Sequence, residues 1–146
     1  MSLQIGDKAP LLEGKDQNGN LYNFAGKKVI LYFYPKDNTP GCTAESCNLN
    51  ENLPAIKSAG YEVIGVSCDN EKSHQKFIKK FNLTFNLIAD TEQKMVEAYG
   101  VWVEKNMYGR KYMGIARTTF VIEEDGTISN IIEKVNTANH TEQLIG

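Results

Sequence analysis

Hydrophobic residues fall in blocks whose period changes along the chain. Val29-Ile-Leu-Tyr-Phe-Tyr34 is an unbroken apolar run, read with Lys28 as a strand over 28–34, and Tyr61–Ser67 is nearly as continuous. Runs of this length, rich in β-branched and aromatic residues, are the pattern of strands buried on both faces. From Asn70 to Phe81 the period lengthens: Phe77, Ile78 and Phe81 share one face of an amphipathic helix. Residues from about 43 to 59 read as helical, with Gly60 as the stop and Pro54 set to kink or restart the stretch. Phe85–Ala89 is a short strand, and Thr91–Tyr99 a helix ended by Gly100. Thr118–Ile122 and Thr127–Glu133 form a hairpin about Glu124-Asp125-Gly126, before a last helix over Thr137–Ile145. Near the start, Asn18-Gly19 sits between short alternating segments of Gly14–Phe24, the mark of an N-terminal hairpin. Lys105–Gly114, with its glycines and charges, reads as a loop.

Strands alternating with helices, then a closing hairpin, predict an α/β fold with a central mixed β-sheet flanked by helices on both faces. At 146 residues the chain is expected to form one domain, 1–146, without repeats or internal linkers. A net charge of −2 with no long basic run argues against nucleic acid or an anionic membrane as the main partner. No stretch approaches ~20 apolar residues, and Met1-Ser-Leu-Gln lacks a charged-then-apolar leader, so the cytoplasm is the expected compartment. Three cysteines are too few for a disulfide scaffold; in a reducing compartment they are free or catalytic.

Two of them, Cys42 and Cys47, follow the first apolar strand in Pro35-Lys-Asp-Asn-Thr39-Pro-Gly-Cys42-Thr-Ala-Glu-Ser-Cys47. A strand thus delivers Cys42 to a Pro/Gly turn that opens a helix, where unpaired N–H groups and a positive dipole end favour a thiolate. A free thiol near neutrality is only a few per cent ionised, so full ionisation gains at most ~30-fold, or about 2 kcal/mol of barrier. Any larger acceleration must come from groups that bind the reacting partner in the transition state. Thr39 can direct its hydroxyl at the space above the sulfur, and Pro35 and Pro40 stiffen the turn. On an ideal helix, positions five apart lie about 140° around the axis and ~7.5 Å along it. Their Cα atoms are then beyond disulfide reach, so a Cys42–Cys47 bond requires the helix to unwind locally.

Arg117, before the apolar Phe120-Val-Ile strand, stands at a strand mouth, where open α/β sheets gather site residues. A guanidinium there favours a thiolate and hydrogen-bonds an incoming oxygen. Glu45, in the first turns of the helix, is a candidate to cap it or to orient Arg117. Cys68 ends the second buried strand and reads as a core or rim thiol. His74 reads as a surface residue of its amphipathic helix. A zinc site from Cys42, Cys47, Cys68 and His74 has no local C-x-x-C or H-x-x-x-H pair to seed it, so no metal is expected.

Pro35-x-x-x-Thr39-x-x-Cys42 matches the active-site motif of the peroxiredoxins, and Cys47 at C-x4-C resembles their bacterioferritin-comigratory, PrxQ-like subfamily. The likeness covers nearly the whole chain. Ile5-Gly-Asp-Lys-Ala-Pro10 is similar to the family's opening, and Ser73-His-Gln-Lys-Phe77 to its middle helix. Tyr99-Gly-Val-Trp102 through Met107-Tyr-Gly-Arg-Lys-Tyr-Met113 to Arg117-Thr-Thr-Phe120-Val-Ile is the most specific stretch after the cysteines. The resemblance implies a thioredoxin-like fold with an N-terminal β-hairpin and an enzyme that reduces hydrogen peroxide and organic hydroperoxides. It implies that Cys42 is the peroxidatic thiolate and Cys47 the resolving cysteine, joined in an intramolecular disulfide that thioredoxin or a similar dithiol protein reduces. Pro35, Thr39 and Arg117 are the remaining motif positions, shielding the sulfur and polarising the peroxide. No metal or organic cofactor is needed. Cys68 lies outside the motif.

Two other readings compete. A thioredoxin-like disulfide oxidoreductase would carry C-x-x-C and a late cis-proline loop, whereas all four prolines here lie in the first 54 residues. A non-enzymatic peroxide sensor would use the same unwinding helix but react stoichiometrically. Without a long exposed apolar stripe in the sequence, a monomer is expected.

Overall fold

The computed structural model describes residues 3–10 and 13–145; Met1, Ser2 and Gly146, where the sequence was read for a leader and a chain end, lie outside them. Its centre is a five-stranded mixed sheet in the order β5-β4-β3-β8-β9. The apolar run forms β3 (Val29–Phe33), which pairs in parallel with β4 (Glu62–Ser67). Beyond β4 lies β5 (Asn86–Ala89), also parallel. On its other side β3 meets β8 (Thr118–Ile122), antiparallel, and β8 pairs with β9 (Ile128–Ile132).

Alternation along β3 feeds two cores. Val29, Leu31 and Phe33 point to one face, where α4 (Lys94–Ala98) contributes Met95 and Val96. Ile30, Tyr32 and Tyr34 point to the other, covered by α1 (Pro40–Glu51), α2 (Leu53–Ser58) and α3 (Glu71–Phe81) through Leu49, Ile56 and Phe77. Helices thus lie on both faces, as the alternation predicts. Short strands β1 (Gly14–Lys15) and β2 (Leu21–Tyr22) make the expected N-terminal hairpin. Its turn is tied by Asp16, whose Oδ1 accepts the Asn18 and Asn20 N–H groups.

Four expectations shift. The 43–59 stretch begins at Pro40 and restarts at Asn52, because Pro54 fits only the first turn of a new helix. The helix expected from Thr91 starts at Lys94: Gln93 is left-handed (φ 59°), and Asp90 Oδ2 reaches over to accept the Met95 and Val96 N–H groups. The last helix, α5 (His140–Ile145), begins three residues late. Lys105–Gly114 is not a loop. β6 (Trp102–Met107) and β7 (Arg110–Ile115) pair antiparallel, with Tyr108 and Gly109 both at positive φ in a two-residue turn. The hairpin is largely exposed, Met107, Tyr108, Tyr112 and Met113 among its solvent-facing side chains, so no inward alternation betrays it.

Gly65 in β4 shows how tightly the helix-rich face is packed. A Cβ there would stand 2.6 Å from Leu87 Cδ2 and 2.8 Å from Tyr32 Cζ, both on fully buried side chains. Gly65→Ala should therefore overpack the core and lower the unfolding free energy by about 1–3 kcal/mol, measured by denaturant titration.

Candidate active site

Antiparallel register builds the site. Phe33 pairs with Thr118, so the next step along each strand sets Arg117 at the carboxyl end of β3, where the chain turns toward α1. The ends of parallel β4 and β5 open on the same side, the position at which open α/β sheets gather ligands. Helix α1 starts with Pro40 after Thr39, whose side chain makes no capping bond. Thr39 Oγ1 instead donates to the Lys36 carbonyl at 2.9 Å. The first N–H groups of the helix, beside Cys42, are thus left for an anion.

Cys42 is buried, and Arg117 Nη2 donates to its sulfur at 3.3 Å. The other arm of the guanidinium, Nη1, donates to Glu45 Oε1 at 2.7 Å. Gly41 makes the approach possible: a Cβ there would meet Nη2 at 3.1 Å. Burial works to lower the Arg117 pKa, but the Cys42 and Glu45 charges outweigh it and hold the guanidinium above its ordinary value. Lys105, on β6, is lowered by burial and by Arg117, while Cys42 acts in the opposite sense. Two cations thus share the field around one sulfur.

Glu45 is fully buried, and burial pushes its carboxyl from 4.5 up to about 7 against the pull of Arg117. Its second oxygen has no hydrogen-bond partner and lies 3.5 Å from His140 Nε2. That imidazole is held down by burial and by Arg117, although its bond to Gln143 works the other way. The Thr119 hydroxyl stands 2.8 Å from the same nitrogen. Glu45 is therefore the residue that orients Arg117, one of the two roles read for it; Thr39, not Glu45, occupies the cap position.

Cys47 lies five residues on in the same helix, and both sulfurs are free thiols. With α1 intact their Cα atoms stand roughly 8–9 Å apart by helix geometry, beyond disulfide reach. Burial, then Glu51, raises the Cys47 thiol above its ordinary value. Cys68 packs against the opposite core from Cys42 and is pushed to about 11 by burial and Asp90. Pro35 is half-buried at the mouth of the loop.

His74 is not on the surface. It is fully buried in α3, with Nδ1 2.7 Å from Asp37 Oδ2 and Nε2 2.9 Å from the Ile88 carbonyl. The signal was present: positions 74, 77, 78 and 81 share one helical face, and a histidine on an apolar stripe is buried with it. Asp37 and His140 were not singled out because their partners lie 37 and 21 residues away in sequence, and no local spacing announces such pairs.

The AhpC/TSA family profile matches residues 5–131. A Coxiella burnetii protein named putative peroxiredoxin bcp is 46% identical over 149 residues, covering 100% of this chain and 99% of that one. Peroxiredoxin Bcp of Bacillus subtilis is 41% identical, with 99% and 94% covered. Among solved structures, a cysteine-to-serine variant of Xylella fastidiosa PrxQ superposes with a TM-score of 0.91 at 32% identity, over 99% of this chain and 94% of that one. The Xanthomonas campestris bacterioferritin comigratory protein, described for alkyl peroxide reduction, gives 0.86 at 35% identity, with 94% of each chain covered.

The raised Glu45 carboxyl makes stability depend on pH. Between 4.5 and about 7 the folded state keeps a proton that the unfolded chain has released, so stability falls as pH climbs through that window. The interval of 2.5 pH units (7 − 4.5) corresponds to roughly 3 kcal/mol. Glu45→Gln has no such proton. Unfolding free energies at about pH 5 and about pH 8 should show wild type losing on the order of 3 kcal/mol relative to Glu45→Gln.

Proposed function

The chain belongs to the AhpC/TSA family of peroxiredoxins, and from that premise we propose that Cys42 attacks the peroxide and Cys47 resolves it. The protein is a thiol peroxidase that acts on peroxide substrates with a thiol reductant. The observation that carries the residue assignment is the forked Arg117, which holds the Cys42 sulfur at 3.3 Å and Glu45 at 2.7 Å at the start of a helix.

In the proposed cycle the Cys42 thiolate attacks the terminal, hydrogen-bearing oxygen of ROOH and displaces the alkoxide. The O–O bond breaks, an S–O bond forms to give a Cys42 sulfenic acid, and the leaving alkoxide becomes ROH by taking from water the proton that the thiol released on ionising. Arg117 stabilises the sulfur's charge before attack and the oxygen's charge during it. Thr39 commits its hydrogen to the Lys36 carbonyl, which leaves its oxygen lone pairs to accept the hydroperoxide O–H. Pro35 shields the sulfur from bulk water. Helix α1 then unwinds, the Cys47 sulfur bonds to the Cys42 sulfur, and water leaves with the sulfenic oxygen. A dithiol protein of the thioredoxin type exchanges with that disulfide and returns both thiols.

Three further readings complete the proposal. The cytoplasm is the compartment, supported by three free thiols that an oxidising environment would not spare; among the described residues no helix is long and apolar enough to cross a membrane. Residues 1–146 act as one domain, since a single sheet carries both cores. A monomer suffices, because Thr39, Cys42, Cys47 and Arg117 all come from one chain.

Single variants test the roles. Cys42→Ser should abolish reaction with peroxide; Cys47→Ser should consume one equivalent and trap a sulfenic acid, seen by mass spectrometry. Equal loss in both would overturn the assignment. Arg117→Ala should slow single-turnover oxidation by about 10²-fold, the scale of losing one transition-state donor. Turnover that stops at one equivalent in wild type with thioredoxin present would favour the sensor over the enzyme.

A further inference from the structure

The segment that joins β3 to α1 and presents Thr39 and Cys42 has little packing of its own. Lys36, Asn38 and Pro40 are exposed, Pro35 and Thr39 are half-buried, and Asp37 alone is buried. Asn38 holds φ 58°, a left-handed turn conformation that asparagine tolerates. The segment is anchored through Asp37. Its Oδ1 accepts the Tyr34 hydroxyl at 2.5 Å, and its Oδ2 accepts the Ser73 hydroxyl at 2.8 Å. Its N–H donates to Asp69 Oδ2 at 2.8 Å. Asp37 Oδ2 also stands 2.7 Å from His74 Nδ1, in the interior.

The other nitrogen of that imidazole fixes the chemistry of this contact. Nε2 lies 2.9 Å from the Ile88 carbonyl, which can only accept, so Nε2 carries a hydrogen. Nδ1 then faces a carboxyl oxygen at hydrogen-bond distance, and one proton must lie between them. Either an imidazolium donates to a carboxylate or a carboxylic acid donates to an imidazole; both are one shared proton. Asp69, from the turn after β4, and the Tyr34 hydroxyl just past β3 bond to Asp37, and Lys72, Lys76 and Lys80 of α3 line the cavity that Asp37 faces. Ligand atoms of Asp37, Asp69 and His74 gather within 4.8 Å. Both His74 nitrogens are already committed to protein groups, so the cluster is built as a lock.

We propose that His74 is a positioning residue for the peroxidatic thiolate: the proton it shares with Asp37 clamps the 35–39 segment to α3 and β5, and the clamp sets where Thr39 and Cys42 stand under Arg117. This rests on the assignment of Cys42 made above. A displacement of the order of 1 Å at a reacting group costs about 10²-fold in rate, so the clamp is felt at the sulfur without touching it.

The test is single-turnover oxidation of Cys42 by hydrogen peroxide, with circular dichroism confirming that each variant is folded at the assay temperature. His74→Phe and Asp37→Ala remove the shared proton and should slow the reaction by about tenfold or more. Asp37→Asn restores the bond without the charge: its amide donates to Nδ1 of a neutral imidazole, while Nε2–H still serves Ile88. It should react within about threefold of wild type, a rescue that mere loss of stability does not give. If His74→Phe fails to fold, the Asp37→Ala and Asp37→Asn comparison decides, and equal rates overturn the proposal. Rates within about threefold of wild type in folded His74→Phe overturn it as well. Wild type that does not reduce peroxide would instead refute the peroxidase assignment, so the two failures are distinguishable.

Discussion

Arg117 joins β8 to α1 through two bonds of one rigid fork, and the site exists only while both are made. The guanidinium cannot reach the sulfur unless Gly41 leaves room for it and Glu45 holds its other arm. Glu45 does so at the price of burial, with one oxygen lacking a hydrogen-bond partner and a carboxyl pushed up to about 7. A helical α1 is therefore a condition for the reactive arrangement, because only a helix brings residues 42 and 45 to the same side. That same helix keeps Cys42 and Cys47 beyond bonding distance. On the proposed roles of the two thiols, peroxide attack and disulfide formation need mutually exclusive backbones.

What holds α1 between the two cysteines is chiefly polar. Glu45 bonds Arg117, and Ser46 bonds Tyr32 at 2.8 Å. Just beyond, Asn48 donates to the Ala138 carbonyl and accepts from Thr141, tying α1 to the start of α5. The neutral bonds are worth only about 0.5–1.5 kcal/mol each once water replaces the partner, and the bond to the Arg117 guanidinium about 1.5–3 kcal/mol. Glu45 moreover regains its hydration and its ordinary acidity when exposed. Unwinding this turn exchanges protein hydrogen bonds for bonds to water and leaves Leu49 in its core, so a short helix can hold a sulfur in place and still release it.

The reach of the sequence follows the range of the interactions. Cys42, Thr39 and Pro35 were legible because they lie within eight residues of one another and their spacing is itself the motif. Arg117 is 75 residues from Cys42, yet the strand after it marks a sheet mouth and the resemblance fixes its place. Glu45 was seen as a neighbour of the thiol but not as a buried acid, since burial is decided by β8 and α5 closing over it. His74 reads as a helix surface and Asp37 carries no signal of its own; only the folded chain sets them 2.7 Å apart. The β6–β7 hairpin was missed for the opposite reason. Its strands face water on most sides, so the alternation that betrays a half-buried strand never forms.

The two thiols are also separated in time by their surroundings. Within the helix the Cys47 pKa is held above its ordinary value by burial and by Glu51, which in the proposed cycle keeps it a thiol while Cys42 meets the peroxide. Unwinding removes the burial and carries Cys47 away from the fixed geometry of its own turn. On the proposed assignment the resolving sulfur thus gains access and nucleophilicity in one motion, and only after the first step has no further use for the helix. An order of events is built into the backbone: Arg117 and Glu45 favour the helix while Cys42 is a thiolate. Once the sulfur carries an oxygen and no charge, the guanidinium loses its strongest reason to hold it.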